Sequence, residues 1–132
     1  MDALMYRTNE PYRNVESIDE ARNIRKLLLN IGFPQHVYGY QYIIYALKLN
    51  MIDPEILHHI TKELYPEIAV CYQSTPARVE RAIRTSIQIT WMYGNKKNLN
   101  TIFGNTVRPD KKIPTNTQFL AGLYFYLREK NN

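Results

Sequence analysis

The chain has 132 residues, of which 45% are hydrophobic and 22% charged, and this suits one globular domain with an adequate core. Its apolar runs are too short and too often interrupted by polar residues to cross a bilayer. The first residues, MDALMYRTNE, lack the apolar segment of a signal peptide. A single cysteine, Cys71, excludes an internal disulfide. These features predict a cytosolic protein without a membrane partner.

Positive charge is concentrated in the second half of the chain. The first 60 residues carry six Lys and Arg against seven Asp and Glu, whereas the rest carry eleven against five. The second half therefore accounts for the whole net charge of +5. Such asymmetry is typical of proteins that bind a polyanion, and a solvated basic face is about as common an explanation.

The first half predicts an arm and three helices. Residues 1–16 lack periodicity and are predicted to form an extended or poorly ordered arm before a helical domain over residues 17–132. Ser17 and Glu20 form a capping box for a first helix that Gly32 ends. A second helix is predicted over 40–50. A third opens at Asp53 and Pro54 and reaches about Leu64.

Residues 65–95 contain the most informative pattern. Tyr65 precedes a proline, so we expect it to leave helical dihedrals and to separate the third helix from a short one that opens at Pro66. After a polar turn, Thr75 is the N-cap and Pro76 the first residue of a long helix. A helical wheel divides this long helix into a polar face of Arg78, Glu80, Arg81, Arg84, Thr85 and Gln88 and an apolar face of Val79, Ala82, Ile83, Ser86, Ile87 and Ile89. This outline predicts a helix-turn-helix at about 66–93.

Two more helices complete the prediction. Gly94 ends the long helix, and Asn95 caps a helix over 96–103 that Gly104 closes. After a loop over 105–114, Thr115 and Gln118 form a capping box for a last helix over 117–129. Because no segment has a strand pattern, the fold class is predicted as all-α, a compact bundle of about six or seven helices.

Several segments resemble one protein family, in order and with similar spacing over roughly residues 20–130. The matching segments are IGFPQHVYGYQYI (31–43), ITKELYPEIAVCY (60–72), STPARVERAIR (74–84), Trp91 with Gly94 and Asn95, Phe103 and Gly104 with Thr106, and PTNTQF (114–119). They are similar to the C-terminal effector domain of stage-zero sporulation protein A, the response regulator of sporulation. The set is far more specific than any single motif.

The resemblance implies a sequence-specific DNA-binding transcription regulator. In the family, arginine and glutamate side chains of the recognition helix contact base edges of short promoter boxes, and this implies base contacts by Arg78, Glu80 and Arg84. It also implies a phosphate contact by Arg81 and self-association on tandem boxes through the final helix, 117–129. RNA polymerase is a further candidate partner.

The chain also departs from the family. Full-length members carry an N-terminal receiver domain, and nothing in the first 30 residues resembles one, so we expect either an effector fragment or a standalone protein without a phosphorylation switch. Tyr38 stands where the family tends to have a basic residue, and Gln118 where it tends to have Glu. Asn105 resembles an insertion. These differences leave the loop contacts open.

Side-chain chemistry supports a G/C-containing target. Arginine can donate two hydrogen bonds to guanine O6 and N7, and glutamate can accept one from cytosine N4. The alternative is that Glu80 and Arg84, four residues apart, form only an exposed helix pair. Further candidates for phosphate contacts, of which about half would be merely solvated, are Lys62, Ser74, Thr75, Lys96, Lys97, Lys111 and Lys112.

No pattern in the sequence predicts an enzyme, a cofactor or a metal site. His58 and His59 are adjacent and point about 100° apart on a helix, and His36 is remote in sequence. Cys71 is interpreted as a half-buried core residue rather than a nucleophile. The alternative function is a receiver-less interaction protein that modulates a full-length regulator, by pairing with it or by competing for its boxes.

Overall fold

The computed structural model describes residues 16–104 and 112–130, and these residues contain six α-helices. They are α1 (Glu16–Ile31), α2 (Tyr38–Ile52), α3 (Tyr65–Cys71), α4 (Pro76–Tyr93), α5 (Lys96–Phe103) and α6 (Asn116–Lys130). These two ranges contain no strand, and the predicted all-α bundle is confirmed. The predicted arm, except Glu16, and loop residues 105–111 lie outside the described residues.

Two predicted helix starts were wrong by a few residues. Helix α1 begins at Glu16, so Ser17 lies in its first turn rather than at its N-cap. Helix α2 begins two residues before the predicted Tyr40, and its N-cap, Val37, makes no side-chain hydrogen bond. A helix start without a capping side chain leaves no signal in the sequence.

The predicted third helix is not an α-helix. A 3₁₀ segment, Ile56–His59, is followed by a π segment, Ile60–Leu64. His59, where the two segments meet, has non-helical dihedral angles, φ −130° and ψ 40°. The expected break at Tyr65 was also wrong, because Tyr65 is helical at φ −61° and ψ −44°. Its N–H donates to the Ile60 carbonyl, so the wider π turn leads directly into α3. A proline in the first turn of α3 costs no intrahelical hydrogen bond.

The turn between α3 and α4 is closed by a Schellman motif. The Ser74 N–H donates to the Ala69 carbonyl at 2.8 Å, and the Gln73 N–H donates to the Val70 carbonyl at 3.4 Å. Gln73 takes the left-handed position, φ 54°, that glycine usually occupies. Thr75 then caps α4 as predicted, because its Oγ1 accepts from the Arg78 N–H at 3.2 Å. The chain reverses between the helices without a glycine.

Helix α4 is held by close contacts along its length. Near its middle, Gly39 of α2 lies against Ser86, where a Cβ would approach the Ala82 carbonyl oxygen within 2.7 Å. Just after its last turn, a Cβ added to Gly32 would lie only 2.9 Å from the Gly94 Cα. The Asn95 N–H donates to the Ile31 carbonyl at 2.9 Å across the same contact. Both contacts fix α4 against neighbouring backbone.

Aromatic rings join the last three helices. Trp91 of α4 packs edge-on against Phe103 of α5, with ring centroids 5.3 Å apart. Phe103 in turn stacks on the fully buried Phe119 of α6, also at 5.3 Å. The predicted capping box of α6 is present, with Thr115 and Gln118 bonded to each other's backbone N–H at 3.0 and 3.1 Å. The aromatic cluster therefore anchors the face of α4 that lies opposite the charged residues of that helix.

Candidate nucleic-acid interface

The polar face of α4 is turned to solvent as the helical wheel predicted. Val79, Ile83 and Ile87 are buried, whereas the opposite side carries the polar residues. Of these, Arg78, Arg81, Arg84, Thr85 and Gln88 are exposed, and Glu80 is half-buried. In a helix-turn-helix the N-terminal part of the second helix contacts base edges. The three arginines lie in that part of α4.

Glu80 and Arg84 form a two-point ion pair. Arg84 Nε donates to Glu80 Oε2 at 2.9 Å, and Arg84 Nη2 donates to Glu80 Oε1 at 3.3 Å. The hydrogen bonds and the charge of Glu80 raise the pKa of the Arg84 guanidinium above its ordinary value. Glu80 accepts hydrogen bonds along one edge of the guanidinium plane, from Nε and one Nη2 hydrogen. Nη1 and the second Nη2 hydrogen form the other edge, whose donors are not used by Glu80. That edge has the geometry of the bidentate guanine contact.

A groove of about 300 Å³ runs along one side of the polar face. We name it the Tyr38 groove. Its walls are Val37–Gly39 of the α2 start and, on α4, Arg78, Arg81, Ala82, Thr85, Ser86 and Ile89. Tyr38 is 79% exposed and stacks on Tyr42, with ring centroids 6.3 Å apart. The lining holds two arginines and no acidic residue, so the groove is electrostatically suited to an anion.

A second groove, of about 440 Å³, runs along the other side. We name it the Thr61 groove. Glu80, Arg84 and Gln88 of α4 face Thr61, Tyr65 and the segment Ile113–Thr117 across it. Asn116 fixes its floor, because its Nδ2 donates to the Tyr65 hydroxyl at 2.8 Å and to the Glu80 carbonyl at 3.1 Å. The charged ridge of α4 is thus flanked by a groove on each side.

The residues predicted to contact phosphate lie in four places. Ser74, Thr75 and Arg81 lie at or near the start of α4, and the exposed Lys112 precedes the Ile113–Thr117 wall of the Thr61 groove in sequence. Lys62 is also exposed, but it lines a separate groove with Asp53, Glu63 and Glu67. Lys96 and Lys97 follow the end of α4, which lies about 14 Å along the helix axis from Arg84. The Lys96 ammonium donates to the Trp91 carbonyl at 2.9 Å, so it also serves as a C-terminal cap of α4. Lys111 lies outside the described residues.

Sequence reasoning missed residues that shape this surface. No sequence pattern assigns a role to Asn116, which is buried and joins α3, α4 and α6. Tyr38 departs from the residue type that the resemblance implies, and in the structure it forms a wall beside Arg78 and Arg81. The periodicity of α4 predicts which of its residues are exposed. It does not predict which residues of other helices stand beside them.

Other chemistry has little support in the described ranges. No group of three or more His, Cys, Asp or Glu side chains there is arranged to hold a metal ion. His58 and His59 are both exposed, and Cys71 is half-buried as predicted. None of the helices described is long and apolar enough to span a membrane.

A comparison with protein families agrees with the architecture and with the charged face of α4. The family model described as "Sporulation initiation factor Spo0A C terminal" matches residues 24–127, which span five of the six helices completely or nearly so. This family comprises DNA-binding domains of a sporulation regulator and is not a class of enzymes. The chain therefore belongs to the Spo0A C-terminal family of DNA-binding domains.

Proposed function

We propose that the protein regulates transcription by reading a short G/C-containing promoter box with α4 in the major groove. The observation that carries this proposal is the Glu80–Arg84 pair. Its two hydrogen bonds occupy the Nε edge of the guanidinium and leave the Nη1 edge for guanine O6 and N7. Arg84 and Arg78 then read guanines. Glu80 orients Arg84 and keeps lone pairs that can accept from cytosine N4.

The two grooves support the same proposal. A helix in the major groove has one DNA strand on each side, and phosphate contacts fix its position. Arg81 with the Tyr38 groove suits one strand, and Lys112, which precedes the Thr61 groove residue Ile113 in sequence, suits the other. We leave Lys62 out of this assignment, because it lines a separate groove with Asp53, Glu63 and Glu67. Ser74 and Thr75 at the start of α4 add backbone and hydroxyl donors. We place Lys96 and Lys97 at the outer limit of the contact, because they follow the end of α4.

Self-association on tandem boxes is a second part of the proposal. Phe125 on α6 is 64% exposed, and an exposed aromatic side chain on a helix is suited to a contact between neighbouring copies. Light scattering with and without tandem-box DNA tests this. A monomer that pairs only on tandem boxes supports the DNA reader. A stable dimer without DNA would instead favour the interaction protein that pairs with a full-length regulator.

Replacement of Arg84 by alanine tests the base assignment. First, selection of bound sequences from a random duplex pool identifies the box. We then expect Arg84→Ala to weaken binding to that box by roughly 5- to 150-fold and to blur the preference at one base pair. The matched variant Lys112→Ala should weaken cognate and scrambled duplexes alike and lower the salt slope by about 1. Equal losses on both duplexes for both variants contradict the assignment of Arg84.

Glu80 gives a second test of the same pair. If Glu80 orients Arg84, the losses from Glu80→Ala and Arg84→Ala should not add in the double variant, because each single change already disrupts one unit. Binding isotherms for the four proteins on the cognate box measure this. Additive losses would show that the two side chains act independently.

A further inference from the structure

A third groove, on α1, carries positive charge that the base-reading surface does not use. Its volume is about 380 Å³ and its lining residues are Arg22, Arg25, Lys26, Leu29, Gln35 and Tyr40. We name it the α1 groove. The three cationic residues are exposed, and none of the six lining residues is acidic. The groove is therefore a concentrated basic site outside α4.

The three cations lie close together on α1. Arg22 lies three residues before Arg25 and four before Lys26, so the three share one face of α1 and repel one another. Asp19 is 3.7 Å from Arg22, but both side chains are largely exposed, at 80% and 69%, and such a pair stabilises little. Burial, and then the charge of Arg25, lower the pKa of Lys48 on α2, while Glu20 opposes the shift. A bound anion would relieve this repulsion.

The position of the α1 groove indicates which anion it binds. Gln35 and Tyr40 line the α1 groove, and Val37, Tyr38 and Gly39, which lie between them in the chain, line the Tyr38 groove. Gln35 and Tyr38 are three residues apart, a span of at most about 10 Å. The segment 35–40 therefore links the two basic grooves, and the Tyr38 groove lies on the Arg78 and Arg81 side of α4. We therefore expect a DNA strand that contacts Arg81 to continue past Tyr38 towards α1.

We propose that the α1 groove is a second phosphate-binding site, which holds the DNA backbone that flanks the box read by α4. This inference rests on the proposed function. Arg22, Arg25 and Lys26 contact phosphates there, Gln35 adds a polar donor, and Leu29 and Tyr40 contact deoxyribose. The site lengthens the DNA footprint and adds affinity without adding sequence preference.

The test compares two duplexes and two variants with matched net charge. One duplex ends at the edges of the box, and the other continues for about one helical turn, about 10 bp, on each side. Arg25→Gln with Lys26→Gln removes two charges from the groove. Lys130→Glu changes the net charge by the same two units at an exposed position at the end of α6, beyond the proposed pairing helix 117–129. Fluorescence anisotropy at several salt concentrations gives the affinities and the salt slopes, and circular dichroism confirms that both variants fold.

We expect the unmodified protein to bind the longer duplex more tightly, and the α1 variant to lose that gain. Its salt slope on the longer duplex should fall by about 2, while its base preference stays unchanged. Equal losses in the α1 and α6 variants would reduce the effect to net charge and overturn the inference. So would an α1 variant that binds both duplexes like the unmodified protein.

The outcomes separate the two proposals. If Arg84→Ala loses base preference while the α1 variant binds normally, the proposed function stands and the α1 site fails. If selection from the random pool yields no preferred box, the proposed function fails. In that case the salt slopes of the α1 and α6 variants on a random duplex still decide whether α1 contacts DNA.

Discussion

At the scale of single residues, Asn116 shows how a buried polar side chain positions a DNA-reading surface. Its Nδ2 donates to the hydroxyl of Tyr65 and to the carbonyl of Glu80, which links α6 to α3 and to the residue that orients Arg84. Burial raises the pKa of Tyr65, and the Asn116 bond opposes that shift. The sequence offered no signal for this role, because Asn116 sits inside a capping box that already explains the local pattern.

We predict that Asn116→Ala lowers the free energy of unfolding by about 1–3 kcal/mol, because it leaves a buried hydroxyl without its donor. Urea denaturation measures the change. Tyr65→Phe is the matched variant, since it removes the other partner of the same bond. The double variant should lose less than the sum of the two single losses. A loss below about 0.5 kcal/mol for Asn116→Ala would contradict this role.

At the scale of elements, the structure separates what capping signals predict from what they do not. Helix α5 and the start of α4 were predicted to the residue, because Thr75, Pro76 and Asn95 are strong start signals. The 3₁₀ and π segments before α3 were not predicted. Their apolar residues Ile56, Ile60 and Leu64 recur every four positions, and this pattern is typical of an ordinary α-helix. Only hydrogen bonding distinguishes the three geometries.

Gly122 tests the packing of α6 against α5. Alanine usually stabilises a helix interior by about 1 kcal/mol relative to glycine. Here a Cβ would meet the Phe103 ring, within 2.9 Å of Cδ1 and closer to Cε1. We therefore expect Gly122→Ala to destabilise the protein by about 1–3 kcal/mol. Thermal or urea unfolding measures this, and Phe103→Leu should reduce the penalty when combined with Gly122→Ala. A stabilised Gly122→Ala variant would show that the ring moves freely.

At the scale of the whole molecule, the fold class and the exposed face of α4 could be predicted, and the distribution of charge could be predicted only in part. The excess positive charge of the sequence lies after residue 60, whereas Arg22, Arg25 and Lys26 lie in a half with more acidic than basic residues. Asp and Glu elsewhere in the first half balance them in the count, but none lines the α1 groove. Which cations share a surface depends on tertiary structure, and the net charge of a stretch of sequence does not contain that information.

Tyr72, at the α3–α4 turn, gives the molecule a predicted alkaline limit of stability. Tyr72 packs edge-on against Tyr42 and Tyr45, at 5.4 and 6.0 Å between ring centroids. Burial, with the charges of Cys71, Tyr45 and Tyr42, raises the pKa of Tyr72 from 10.0 to about 12. The fold therefore favours the neutral phenol. Its contribution is fully present below pH 10 and is lost as the pH rises from about 10 towards 12.

We expect a modest loss of stability over that window, because Tyr72 remains 38% exposed. Urea denaturation between pH 9 and 11.5 follows the loss, and tyrosinate absorbance identifies the late-titrating group by the difference from Tyr72→Phe. The Tyr72→Phe protein should show a flatter dependence on pH. Identical absorbance titrations per tyrosine in the two proteins would show that Tyr72 titrates normally.

The glycine contacts of α4 have a consequence for regulation. Gly39 lies against the middle of α4, and Gly32 lies against Gly94, the residue that follows the helix. Thr75 caps the start of α4. A helix clamped in this way cannot tilt or slide without breaking several tight contacts at once. We therefore expect the backbone that carries the polar face of α4 to have the same shape with and without DNA. Signals that switch the protein on or off would then act by granting or blocking access to the domain, or by bringing copies together, rather than by remodelling it.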